Sequence, residues 1–289
     1  MKRNTRFRAY QLADEGASFS YSVNKHFTLI EARYNEINTP NIKWEMMHLG
    51  IDRVDVLHIT SWDEDHCKAE ELKQILIDLR PKWIEIPFYV HDTDNAKKAM
   101  EYITLYKEGT ISRIGPSLVK ARQKIRLFGE DVYYNPMNWI ESSSNDKSVV
   151  KLFRLGSFTV LSLGDCMSEA IRDSLMADEI LQNEVDVLIL AHHGADNGFT
   201  TKEFLKAINP RVAICATNYM NKYGHPDKAI VDRLNACDIP YFSTKTGDVI
   251  VHYINKYNFK VINMIANNTR CEDLAYYNNK TWFVNEDEP

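Results

Sequence analysis

Two almost wholly apolar runs, Val185-Asp186-Val187-Leu188-Ile189-Leu190 and Val212-Ala213-Ile214-Cys215-Ala216, limit what this chain can fold into. Neither alternates apolar with polar residues, so each suits a strand covered on both faces. A helical stretch over residues 201–208 separates them and ends before Pro210, and another follows over 229–237. That order is the signature of a buried parallel sheet with helices outside it. The first third of the chain repeats it. Strand-like runs at Phe27-Thr28-Leu29-Ile30 and Val54-Asp55-Val56-Leu57-His58-Ile59 precede a helical stretch over 68–79 and a strand at Trp83-Ile84-Glu85-Ile86. Val149-Val150-Lys151-Leu152-Phe153 and Phe158-Thr159-Val160-Leu161-Ser162-Leu163 read as paired strands around a Gly156-Ser157 turn, with a helix over 168–181 after them. Two β-rich halves with interleaved helices predict an α/β protein of two packed mixed sheets, helices outside.

The 289 residues read as one domain, 1–289, with a helical insertion at 91–125 and a C-terminal extension at 256–289. Apolar residues make up 44% and charged residues 26%, which excludes wholesale disorder. The net charge of −5 means that any nucleic-acid contact needs a local basic patch. Lys97, Lys98, Arg113, Lys120, Arg122, Lys124 and Arg126 could form one, although a solvated helix face is the simpler reading. The five cysteines are odd in number and contain no C-x-x-C pair, against a disulfide framework or a zinc ribbon. The basic start, with Lys2, Arg3, Arg6 and Arg8, leads into no apolar stretch, and no run approaches the ~20 residues of a membrane helix. A cytoplasmic protein without membrane contact is expected. The aromatic tail (Tyr253, Tyr257, Phe259, Tyr276, Tyr277, Trp282, Phe283) reads as packing on the core, with partner docking as the alternative.

The chemistry gathers at strand ends. Ser61-Trp62-Asp63-Glu64-Asp65-His66 follows the strand ending at Ile59, Gly164-Asp165 follows Leu163, and His192-His193-Gly194 follows Leu190. Asn221-Lys222-Tyr223-Gly224-His225-Pro226 is a turn before a helix. Singly, an Asp there is a helix cap and a His a loop residue. Together they converge, because carboxyl ends of strands share one rim of a layered α/β protein. Asp63, Asp65, His66, Asp165, His192 and His225 supply carboxylate and imidazole donors for one or two divalent metal ions.

These residues resemble the metallo-β-lactamase superfamily, specifically its ComEC-type branch, whose first motif reads T/S-H-x-D-x-D-H. Thr60 to His66 align with it. The branch's "L-x-x-G-D", "D-V-L-x-x-x-H-H-G-S", "N-x-Y-G-H-P" and "T-x-x-G" pieces are similar to Leu161 to Asp165, Asp186 to Ala195, Asn221 to Pro226 and Thr244 to Gly247. The resemblance implies an αββα sandwich. It also implies that Asp65 and His66 hold one metal with His192, that Asp165 bridges, and that Asp63 helps a second metal. His225 would take that second metal or a phosphate. His193 would replace His192 or orient it, and Ser61, Asn221 and Lys245 would stand behind the ligands or meet substrate. The pattern is departed from in three places, one being Lys68-Ala69 where the first motif continues to a Gly-Gly. Ser61 replaces the first metal-binding His, and Glu31 replaces an Asp. Zinc and manganese both suit such donors, and the carboxylates lean towards manganese.

The function this implies is metal-dependent hydrolysis of a phosphodiester in DNA or RNA, with Asp65 and Asp165 as catalytic groups. Such proteins also work beside a partner protein in bacterial defence systems, which the resemblance carries over as an expectation. The alternatives are a small-molecule phosphodiesterase, lactonase or esterase of the same fold, and a non-catalytic binding subunit, which Ser61 favours.

Overall fold

The computed structural model describes residues 4–125, 129–136, 143–255, 257–265, 270–278 and 280. Arg126, Trp282 and Phe283 lie outside them. The first part of the chain forms β1 (Thr5–Ala9), β2 (Phe19–Val23), β3 (His26–Ile30), α1 (Thr39–Leu49), β4 (Val56–His58), α2 (Ala69–Asp78), β5 (Trp83–Pro87), α3 (Asp94–Leu105), β6 (Thr110–Ile114) and α4 (Pro116–Ile125). The second forms β7 (Val132–Asn135), β8 (Val150–Phe153), β9 (Val160–Ser162), α5 (Glu169–Met176), α6 (Glu179–Glu184), β10 (Val187–Ile189), α7 (Lys202–Ile208), β11 (Val212–Cys215), α8 (Lys228–Asn235) and β12 (Tyr241–Ser243). Three more strands, β13 (Val249–Asn255), β14 (Asn258–Ile265) and β15 (Arg270–Asn278), return to the first sheet.

Among the described residues the strand order is β15-β14-β13-β1-β2-β3-β4-β5-β6 in one sheet and β12-β11-β10-β9-β8-β7 in the other. The sheets pack face to face, and side-chain alternation builds three cores from two layers. Val187 and Ile189 of β10 join Phe7, Phe19 and Phe158 between the sheets, while Leu188 turns to the outer helices. In the first sheet, Leu57 and Leu29 pack outward with Leu72 and Ile75 of α2. This is the αββα arrangement expected from the apolar runs.

Three expectations change. The 91–125 insertion is not wholly helical: β6 pairs in parallel with β5 and extends the sheet. Its β-branched residues, Thr110, Ile111 and Ile114, suit a strand better than a helix. The helix expected over 168–181 is two helices, because the Asp178 side chain accepts from the N–H groups of Ile180 and Leu181 and starts α6. The C-terminal extension adds β14 and β15 to the sheet, burying Phe259 and Val261 in the inter-sheet core. Tyr257 and Tyr276 remain exposed. No helix among the described residues is long and apolar enough to cross a membrane.

A buried charge cluster ties the two sheets together. Lys151 of β8 lies 3.0 Å from Glu85 of β5 and 3.1 Å from Asp131. Glu85 also meets His58 Nδ1 of β4 at 2.6 Å and accepts from the Tyr133 hydroxyl of β7. Burial opposes both charges. The neighbouring opposite charges win, holding Glu85 below the ordinary carboxylate range and Lys151 above the ordinary amine.

Candidate metal centre

β3, β4 and β5 run parallel, as do β9 to β12, so their carboxyl ends face one rim. The turn after β4 is pinned from several sides. Asp63 carbonyl accepts from the His66 and Cys67 N–H groups, and the Asp65 and His66 carbonyls accept from Ala17 and Ala32. Trp62 is fully buried and donates from Nε1 to the Tyr89 carbonyl at 2.8 Å. Such pinning costs the site residues little freedom when they bind.

Four side chains come together there: Asp65, His66, Asp165 and His193 each offer a ligand atom within 4.8 Å of the others. His66 Nε2 lies 2.8 Å from Asp165 Oδ1. The approach lacks the direction of a hydrogen bond, and both atoms are buried without a hydrogen-bond partner. Two such ligand-type atoms, buried side by side within the four-residue cluster, suit a shared cation. His193 donates from Nδ1 to the Ala216 carbonyl at 2.9 Å, leaving Nε2 facing Asp65 Oδ2 at 3.2 Å and Asp165 Oδ1 at 3.9 Å. A backbone carbonyl on one nitrogen and carboxylates at the other is how metal-ligating histidines are oriented.

Glu31, the departure from the family's Asp, sits behind His66. Its Oε1 is 3.1 Å from His66 Nδ1, and its carboxylate accepts from the Thr60 N–H and hydroxyl. It therefore orients the imidazole, which is what a ligand's outer partner does. Its φ of 68° and those of His192 (47°) and His193 (55°) are left-handed. Such residues cost ~1–3 kcal/mol each and cluster at functional sites.

The six expected ligands do not all meet. Asp65, His66 and Asp165 do, and the ring they meet is that of His193. His192 contributes no atom to the cluster; its ring lies 6.4 Å from that of His193 and 6.5 Å from that of His225. His192 and His225 line the open cavity of about 300 Å³ that also exposes Asp65 and His193. Burial pulls the His225 imidazole down. Asp63 is not among the four: Ser61 Oγ donates to its Oδ2 at 2.8 Å, and His91 Nε2 lies 3.4 Å from its Oδ1. Ser61 Oγ also meets the Tyr89 hydroxyl at 3.0 Å, so it acts in a hydrogen-bond chain. Asn221 clamps the following loop, donating to the Asn218 and His225 carbonyls and accepting from the His225 N–H. Lys245 follows β12 on the same rim and bears on Cys215, whose thiol donates to the His193 carbonyl. Tyr89 and His91 were not foreseen from the sequence; their place just past β5 on this rim is the signal that would have found them.

Gly164 sets Asp165. Its φ is +54°, and a Cβ there would lie 2.7 Å from Ser148 Cβ. Ser148 Oγ accepts from the Asp165 N–H at 3.2 Å, and Gly164 carbonyl from His192. Gly164→Ala is expected to lose more than about 1 kcal/mol of stability in a denaturant melt and to weaken metal binding; an unchanged melt and metal affinity would contradict this.

The field of the site favours positive charge. Burial alone would lower His66 and His193. For His66, Asp165 and Glu31 overcome that, and for His193 the Asp65 hydrogen bond and Asp165 do, so both imidazoles titrate above the ordinary value. Burial likewise raises Asp65 and Asp165, and the histidine charges overcome it to hold both carboxylates low. In the metal-free chain these imidazoles stabilise the fold while charged, and that stability is lost as pH rises through their raised values. Metal binding runs the other way, because a cation must displace their protons. Metal retention is expected to fall as pH drops, starting above the ~6.5 of a free histidine. Equilibrium dialysis at fixed free Mn²⁺ would show this, and retention flat from pH 8 to 5.5 would contradict it.

The two sheets, the rim and this cluster define a protein of the metallo-β-lactamase fold. Solved structures agree: the metallo-β-lactamase fold protein YhfI from Bacillus subtilis covers 84% of this chain and 98% of its own at 13% identity and TM-score 0.51. Igni18, a metallo hydrolase from Ignicoccus hospitalis, covers 87% of this chain and 100% of its own at 15% identity and TM-score 0.53. In sequence, the chain is similar to ComE operon protein 3 of Bacillus subtilis, 24% identical over 212 residues, 72% of this chain and 26% of that protein. Competence protein ComA of Neisseria gonorrhoeae is 30% identical over 125 residues, 43% of this chain and 18% of that protein. Both support the ComEC-type resemblance, although the chain spans about a quarter of the first and under a fifth of the second. No protein-family model matches the chain.

Proposed function

We propose that this protein is a metal-dependent hydrolase of phosphodiesters, with nucleic acid as the substrate class the sequence resemblance carries over. The observation that supports it most is the facing of His66 Nε2 and Asp165 Oδ1 at 2.8 Å without a hydrogen bond. Asp65, His66, Asp165 and His193 would hold the ion, zinc or manganese. A divalent ion in such a site polarises a phosphoryl oxygen and makes water more acidic. The chain's own residues do the rest. Glu31 fixes the His66 ring and the Ala216 carbonyl fixes His193. Asp65 is a third exposed, opens on the cavity, and accepts the proton of the attacking water. Lys245, two residues past β12, would meet a phosphate of the substrate. The free, buried Cys67, Cys166 and Cys215 suit a reducing compartment, supporting a cytoplasmic location.

The cavity is at the small end of ligand sites, which favours a small phosphodiester as the second reading. The test is to incubate the chain with Mn²⁺ or Zn²⁺ and labelled single-stranded DNA, RNA or bis(4-nitrophenyl) phosphate. Cleavage that a chelator stops supports the proposal, and the preferred substrate separates the two readings. No cleavage of any of them with metal bound would sink it.

A further inference from the structure

We propose that the loop from Asn218 to His225 is a nucleobase-recognition element, in which Tyr223 stacks an unpaired base beside the scissile phosphodiester. The inference rests on the reading above for the nature of the ligand and adds which part of it the protein grips.

Tyr219 is 73% exposed, Met220 85% and Tyr223 61%. Large apolar side chains standing in water on one short loop mark a binding surface rather than a core. The loop is also ordered by its own bonds. The Asn221 side chain makes three hydrogen bonds within it, and the Thr217 hydroxyl donates to the His225 carbonyl. The exposure is therefore held in place, so little conformational entropy is lost on binding.

The loop faces the metal centre. Tyr223, Asn218 and His225 line the same cavity as Asp65 and His193. Tyr223 stacks on the His225 ring, centroids 5.6 Å apart and planes 18° from parallel, so one flat face of the pair is already formed. Lys222 Nζ lies over the Tyr223 ring, 4.7 Å from its centroid, and 3.1 Å from Glu15, which also lines the cavity. It thereby offsets an acidic wall that would repel a phosphate, and it is exposed enough to change partner to one. An ordered aromatic side chain and a candidate metal centre on one cavity, with the exposed Lys222 beside that side chain, match a base, the scissile bond and a backbone phosphate. A flat protein partner would not need the cavity. The base could belong to a single-stranded chain or to a small dinucleotide, and both present the same chemistry to this loop.

The test is equilibrium binding by fluorescence anisotropy, using the full chain, Mn²⁺, and a labelled oligothymidylate beside the same oligomer with abasic sites. Tyr223→Ala is expected to weaken binding of the base-bearing oligomer roughly 5- to 150-fold and to leave the abasic oligomer unchanged. Tyr223→Phe should bind as wild type does, which separates stacking from loss of the loop. Displacement by a cyclic dinucleotide assigns the base to a small substrate, and failure to displace assigns it to a chain; both uphold base recognition. Equal weakening for both oligomers, or none for either, overturns it. So does a change in oligomeric state on Tyr223→Ala with base binding unchanged, which would make the loop a protein contact. Hydrolysis measured in parallel keeps the two proposals apart. Base-dependent binding without cleavage defeats the hydrolase reading alone, and cleavage without base dependence defeats this one alone.

Discussion

Lys151→Met is expected to cost about 3–5 kcal/mol of folding stability, because it strands a buried carboxylate. Lys151 and Glu85 are 3% and 9% exposed, and Lys151 is the cation that holds Glu85 ionised among His58, Tyr133 and Asp131. Its aliphatic stem and ammonium also pack over the Tyr133 and Phe153 rings. Methionine keeps the stem's volume and removes only the charge, so the loss measures the electrostatics. Adding Glu85→Gln should recover much of it, since the pair and not either charge is compatible with burial. In wild type, Glu85's lowered value means its contribution is lost only as pH falls well below the ordinary carboxylate range. Urea melts of the single and double variants at pH 7 check this. A Lys151→Met loss under 1 kcal/mol, or a double variant no better than the single, would contradict it.

Asp165→Ala is expected to abolish metal retention and any metal-dependent hydrolysis while leaving the fold intact. Outer partners of a ligand are worth 10- to 100-fold in affinity, and a carboxylate inside the cluster is worth more. Asp165 is 2% exposed, yet its Oδ1 has no hydrogen-bond partner. Removing it takes from His66 and His193 one of the carboxylates that hold them charged in the metal-free chain, although Glu31 still faces His66 and Asp65 still faces His193. The metal-free variant should therefore melt below metal-free wild type at neutral pH yet remain folded by circular dichroism at 25 °C, so that metal retention is compared on folded protein. His192→Ala is the contrasting control, because His192 lies outside the four-residue cluster and should retain the metal. Metal retained by Asp165→Ala, or lost equally from His192→Ala, would redraw the centre.

The strands that build the cores were legible because burial on both faces writes itself as unbroken apolar runs, as in Val185 to Leu190 and Val212 to Ala216. β6 was hidden because an edge strand of five residues carries little apolar signal between two charged helices. β14 was hidden for a related reason: Phe259 and Val261 alternate inward, but Lys260 stands between them and Asn258 and Asn263 interrupt the apolar pattern on either side. At the site, strand ends pointed to Asp65, His66 and Asp165. Pattern alone could not choose between His192 and His193, since the choice depends on two successive left-handed residues. Nor could it show that Glu31, an apparent departure, still orients His66, which requires knowing that β3 lies beside β4.

The central claim is that Asp65, His66, Asp165 and His193 form a divalent metal site. The measurement that tests it most directly is elemental analysis of wild-type protein purified without chelator. One or two equivalents of zinc or manganese per chain is the predicted result; a chain that carries none, and takes up none on dialysis against either ion, would contradict it.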